Sequence, residues 1–400
     1  MNNFLKTSQS RTKTQPITYL LSILLGCLLL LSACGSSQSA NMGQSPSTNL
    51  PMDTSSPTAM LSPTATAIAT PSPTPTPSPT PVPTVSATSK QQGNAQLQIF
   101  QGQIHTMQQY GGNITIYQQQ YTNDQLALGN ATTPATYQQA LNTLNGHINA
   151  IKLPILQSQA HMLQQQLANG AATWGQQHTY FDSYNGTTYN LGYEYTAMGS
   201  WGQDEIANSQ SLAQYQQTVD DINMWAFNFQ AYKDNFSDST PYNQVHQTDT
   251  RILQHYGYTS GNVIVVSLNE QAMRVYQNGQ LVRAFLVVTG KPGHPSLPGT
   301  WWVESKLTNT HFTSGKLPGQ EDYYPPTPIP FALGYHSGGY FLHTSWWRTL
   351  YGRHMEFPHL DAQGTPFAYD GSHGCINMSN TDISWLYTFS SISSTKIVIY

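Results

Sequence analysis

Asn262-Val263-Ile264-Val265-Val266-Ser267-Leu268 is followed, after a short break, by Gln271-Ala272-Met273-Arg274-Val275-Tyr276, then Asn278-Gly279, then a third run over 281–289. Branched and aromatic residues dominate these runs, and Asn-Gly readily takes the positive φ angles of a two-residue hairpin turn. The stretch predicts antiparallel strands from residue 262 onward. Further strand candidates lie at 300–305, 331–335, 340–344 and 396–400. One short helix is expected among them, because Ser379 with Asp382 three residues later reads as a cap leading through Trp385 and Leu386 to about residue 389. Residues 256–400 are therefore expected to form a mainly-β domain, β-sandwich-like with a short helix.

Upstream the period changes from two to between three and four. Leu97, Phe100, Ile104 and Met107 form one such series; Leu141, Leu144, Ile148, Ile151 and Ile155 a second; Leu212, Tyr215, Val219, Ile222, Ala226 and Phe229 a third. Thr133-Pro134 supplies a cap and a proline at a first helical position, whereas Pro154 should kink or split its helix. The spacing predicts an all-α bundle of three or four helices over 93–255, with a surface of glutamine and asparagine and no assigned role. Its tyrosines and tryptophans, Tyr180, Tyr184, Tyr189, Tyr193, Tyr195 and Trp201 among them, offer faces for stacking on sugars, but aromatics in such a setting more often complete a core.

The chain begins differently again. Lys6, Arg11 and Lys13 precede an uncharged apolar run over 17–31, the pattern of a secretory signal, and it stops at Leu31-Ser32-Ala33-Cys34. That tetrad resembles the lipobox of bacterial lipoproteins, which implies a signal peptide over 1–33 and a lipid on the Cys34 sulfur. Residues 34–92 are Ser-, Thr- and Pro-rich, culminating in alternating prolines from Pro71 to Pro81, and are read as a disordered linker. At about 3.1 Å per residue, roughly fifty residues reach on the order of 150 Å. The expected setting is extracytoplasmic, lipid-anchored to a bacterial membrane and facing the wall. With 8% charged residues and a net charge of −4, no basic face is available for nucleic acid.

Ser372-His373-Gly374-Cys375-Ile376-Asn377 holds the one cysteine downstream of residue 34, and His343 lies upstream in Phe341-Leu342-His343-Thr344. A thiol needs a base within reach to act as a nucleophile near neutral pH, and both His343 and His373 are available. Backbone amides at Gly374 and Cys375, with His373, are candidate oxyanion donors. These residues, with Val287-Val288-Thr289-Gly290 and Pro298-Gly299-Thr300-Trp301-Trp302-Val303 before them, resemble the signature of the L,D-transpeptidases over about residues 258–400.

That resemblance implies a cysteine acyltransferase of peptidoglycan without a cofactor or metal. Cys375 would attack a tetrapeptide stem to form a thioester, which the amine of a second stem resolves. His343 would be the base, oriented by the backbone carbonyl of Thr344, and Ser372, His373, Gly374 and Asn377 would form the oxyanion and substrate side. Carboxypeptidase trimming of stems, or a catalytically silent wall-binding lipoprotein, are the alternatives. The gap between His343 and Cys375 is longer than the family usually shows; the insertion, 346–371, is equally readable as a lid or as a plain surface loop. His354, Glu356 and His359 within it are set aside as a zinc site because Pro358 argues against a helix presenting them.

Overall fold

The computed structural model describes residues 83–361 and 369–400. The expected signal peptide, Cys34 and the linker as far as residue 82 lie outside the described residues. The chain divides into compact units at Pro77 and Ser78, and the architecture below is that of the second, Ser78–Tyr400. Among the described residues no helix is long and apolar enough to cross a membrane.

Helix α1 (Ala87–Gln109) begins inside the segment expected to be linker. The prolines end at Pro83, and Ser86 then caps the helix by accepting from Ser89 N at 3.0 Å, so nothing further opposes helix formation. Helices α2 (Thr115–Asn130), α3 (Pro134–Ala150) and α4 (Lys152–Gln177) follow. Thr133 caps α3 with Pro134 in its first turn. The helix does split ahead of Pro154, which falls in the first turn of α4, where its missing N–H has no partner to lose. A hairpin, β1 (Thr179–Asp182) with β2 (Thr187–Asn190), precedes α5 (Tyr193–Asn208), α6 (Leu212–Phe236) and α7 (Gln247–His255).

A single bundle of three or four helices does not result. Helices α1 to α3 close their own core around Phe100, Leu141, Leu144 and Ile151. Helices α4 to α6 pack on one another but continue their apolar cluster into the β-rich region, where Trp225 and Phe229 belong to one core with Val265, Ile397 and Tyr400. The physical reason is the width of the α6 stripe: Tyr215, Val219, Ile222, Trp225, Phe229 and Tyr232 are all buried, more than one helix-facing side can cover.

The β region comprises β3 (Asn262–Ser267), β4 (Ala272–Gln277), β5 (Gln280–Leu286), β6 (Gly299–Trp302), β7 (Ser305–Phe312), β8 (Thr327–His336), β9 (Tyr340–Thr344), β10 (Ile376–Met378), then helix α8 (Asn380–Phe389) and β11 (Lys396–Ile399). Five strands run in the order β5-β4-β3-β11-β6 and four in the order β10-β9-β8-β7. Asn278 and Gly279 have φ of 52° and 75°, the tight turn their sequence predicts. Ser379 caps α8 by accepting from Asp382 N. Strand β3 does not alternate: Val263 to Ser267 are all buried. Its parallel neighbour β11 places it inside the sheet, and the helices cover the face that would otherwise meet water.

A buried polar cluster ties the two regions. Arg274 on β4 donates to Asp249 on α7 at 2.5 and 3.0 Å and to Glu270 at 2.6 Å. The Tyr276 and Tyr400 hydroxyls donate to the same Asp249 carboxylate at 2.6 and 2.8 Å.

Candidate active site

Parallel pairing of β9 with β10 sets Asn377 opposite His343. His343 is 4% exposed. Its Nδ1 lies 2.8 Å from the Thr344 carbonyl oxygen, which can only accept, so Nδ1 carries the proton. On the other side of the ring, Asn377 Nδ2 stands 3.1 Å from Nε2. The Asn377 oxygen accepts from Arg348 Nε at 2.8 Å, which fixes the amide's direction and leaves Nε2 as an unprotonated acceptor. Burial pushes the His343 pKa down to about 4, with the Arg348 charge adding to the effect and the Thr344 carbonyl opposing it. Phe312 and Trp347 pack against the ring at 5.1 and 6.0 Å between centroids.

Cys375 directly precedes β10, and its Sγ is turned to the Gly339 carbonyl at 3.5 Å. Burial pushes the thiol up to about 11. The resting pair is thus a neutral thiol and a neutral imidazole. Both line one cavity with Tyr324, Trp347, Arg348, Asp370 and Ser372.

The loop before Cys375 is held from several sides. Ser372 Oγ accepts from Gly374 N at 3.1 Å and donates to the Cys375 carbonyl at 2.5 Å. Ser372 N donates to Thr289 O, Lys291 N donates to Ser372 O, and Ser296 Oγ donates to Gly374 O. Gly374 has φ of 109°, and a Cβ there would sit 2.7 Å from the Tyr340 ring, so only glycine fits. Two expectations change. The Gly374 N–H proposed for an oxyanion hole is already taken by Ser372, and Asn377, 1% exposed, lines the cavity with its amide already committed to His343 and Arg348. His373 is exposed toward Asp322, with Nε2 3.4 Å from Oδ1.

The described part of the insertion is packed rather than a plain surface loop. Asp361 accepts from Thr349 N, Thr349 Oγ1 and Leu350 N, and Gly352 N donates to Val287 O. Phe357 is fully buried, stacked between Tyr180 and Tyr189 of the β1–β2 hairpin at 5.1 and 4.9 Å. Tyr193 donates to Gly290 O at 2.5 Å. The middle-region tyrosines thus finish cores and contacts, Tyr195 being fully buried, although Tyr184 stays exposed. His354, Glu356 and His359 do not converge: His354 stacks on Tyr180, and His359 Nδ1 bonds the Phe357 carbonyl. Residues 362–368 of the insertion lie outside the described residues.

Arg348 was not singled out from sequence, nor were Asp322 and His294. An arginine a few residues past the histidine strand, in a chain so poor in charge, was the one available signal for the first.

Residues 261–399 match the YkuD family, the L,D-transpeptidase catalytic domain. Among solved structures, an L,D-transpeptidase from Mycobacterium smegmatis is 20% identical, covering 35% of this chain and 59% of its own, with a TM-score of 0.29. The catalytic domain of the E. faecium L,D-transpeptidase is 23% identical, covering 36% of this chain and all of its own, also with a TM-score of 0.29. L,D-transpeptidase 3 from Mycobacterium tuberculosis is 20% identical over 35% of this chain and 61% of its own, with a TM-score of 0.29. The chain thus spans about three-fifths of the mycobacterial chains. No curated protein matches it. Within the matched residues, His343 lies on β9, and Cys375 immediately precedes β10, the strand that pairs with β9 in parallel.

Proposed function

We propose that the protein is an exported L,D-transpeptidase that forms peptidoglycan cross-links through a Cys375 thioester. The observation that carries the reading is one cavity holding Cys375 and a His343 whose Nε2 lone pair is set by the Thr344 carbonyl and Asn377. Because the resting thiol is protonated, the proton must move as the bond forms. On substrate entry Sγ leaves the Gly339 carbonyl and gives its proton to Nε2, which gives up Asn377. Sulfur attacks the carbonyl carbon of the stem amide; with the Gly374 N–H committed to Ser372, the Cys375 N–H is left as the loop's donor for the oxyanion. The C–N bond breaks, His343 returns the proton to the leaving amine, and the thioester remains. The amine of a second stem attacks it and gives one proton to His343 Nε2, and the sulfur leaves and takes that proton back, restoring the thiol.

Export, thioether lipidation at Cys34, a linker from residue 34 towards α1 and a membrane-anchored, wall-facing location belong to the same proposal and rest on the sequence. The test is intact-mass analysis of the full chain, in detergent, with disaccharide-tetrapeptide stems. An acyl adduct present in wild type and lost in Cys375→Ala is expected, and its absence from wild type would refute the reading. Cross-linked dimers among the products support the transferase, whereas tripeptides alone would make it a carboxypeptidase.

A further inference from the structure

Beside the nucleophile, three loops deliver one ligand atom each to a single point. His294 comes from the connection between β5 and β6, Asp322 from the one between β7 and β8, and His373 from the loop before β10. Their ligand atoms all lie within 4.8 Å of one another. His294 Nε2 stands 2.9 Å from Asp322 Oδ2, and His373 Nε2 stands 3.4 Å from Asp322 Oδ1. Two ligands of a tetrahedral zinc ion, each about 2 Å from the metal, are separated by about 3.3 Å; the His373 pair stands near that length, and the shorter His294 pair, a hydrogen bond in the metal-free protein, opens slightly when an ion takes the proton's place. Among the described residues this is the one group of three or more such side chains so arranged.

We propose that His294, Asp322 and His373 bind one divalent transition-metal ion of the zinc class, independently of whether the enzyme reading above holds. Two imidazoles and a carboxylate suit zinc, cobalt or nickel and not calcium or magnesium, and three protein ligands leave a position open to water. The backbone supports the placement. Asp322 sits at φ of 61°, a conformation that Asp and Asn tolerate better than most residues and that turns its carboxylate between the two rings. Both rings are held close, 5.0 Å apart at their centroids. Lys291 is the competing cation, 3.8 Å from Asp322 Oδ1, but its nearer partner is Asp370 at 3.3 Å, where it can remain when the metal takes Asp322. Binding displaces protons from the two Nε2 atoms and joins the three loops at the cavity mouth, two residues from Cys375.

The experiment uses the full chain without a histidine tag. Zinc is titrated calorimetrically, and Co²⁺ is then used for its absorption spectrum. The expected result is one ion per chain, a cobalt spectrum without a thiolate charge-transfer band, and undiminished binding in Cys375→Ser. Asp322→Asn, which keeps the backbone conformation, should weaken binding at least 100-fold, and His294→Ala comparably, while the zinc-dependent rise in Tm vanishes in both. Metal-free unfolding curves show whether each variant is folded. Binding that requires Cys375, or that survives Asp322→Asn unchanged in a folded protein, overturns the proposal.

Discussion

Lowering the pH tests the central claim about His343, that the folded protein holds it buried and neutral. An imidazole with an ordinary pKa of 6.5 is pushed down to about 4 in the fold, chiefly by burial. The unfolded chain therefore takes up a proton that the folded one refuses. The sign follows from linkage: the contribution to stability is complete above pH 6.5, declines as the pH falls through the window from 6.5 to 4, and is gone below it. With about 1.4 kcal/mol for each pKa unit, His343 withdraws about 2–3 kcal/mol between pH 7.5 and 4.5. Other groups titrate across the same window, so the quantity to measure is a difference. Urea unfolding of wild type and His343→Gln, each at pH 7.5 and 4.5, isolates it. Wild type should lose about 2–3 kcal/mol more than the variant. Parallel losses would refute the buried neutral imidazole and, with it, the assignment of Nε2 as a ready acceptor.

Asn377→Ala removes the acceptor of Arg348 Nε and the donor to His343 Nε2 together; a buried unsatisfied group costs about 1–3 kcal/mol, read by urea unfolding, and acylation of Cys375 should slow while its pH dependence shifts. Arg274→Met leaves the buried carboxylates of Asp249 and Glu270 without their cation, so unfolding free energy should fall by about 3–5 kcal/mol, largest near neutral pH where both are ionised.

Local signals were legible wherever a residue's role depends on its neighbours in sequence. Asn278-Gly279 forms the turn its chemistry favours, Ser379 and Thr133 cap the helices that follow them, and Pro154 marks a helix start. Strand content was legible too, but β3 reads as half-exposed until the helices that bury its second face are placed. The linker's end was misjudged by a few residues because composition changes gradually, whereas the Ser86 cap defines the helix start sharply.

The sequence by itself determined the two-part order of the described chain, helices and then a mainly-β domain, and it singled out one candidate thiol, Cys375, with His343 chosen over His373 through the family resemblance. Periodicity and turn chemistry are carried by adjacent residues, and a nucleophile is chosen from few reactive groups. Only the tertiary structure decided how those groups are poised. Asn377 reaches His343 because β9 and β10 pair in parallel in one register, Gly374 loses its amide to Ser372, and Arg348 enters from the insertion. It also decided that His294, Asp322 and His373 meet. Hydrogen bonds and ligand sets between distant loops depend on chain geometry at the ångström level, and no local pattern of residues encodes that.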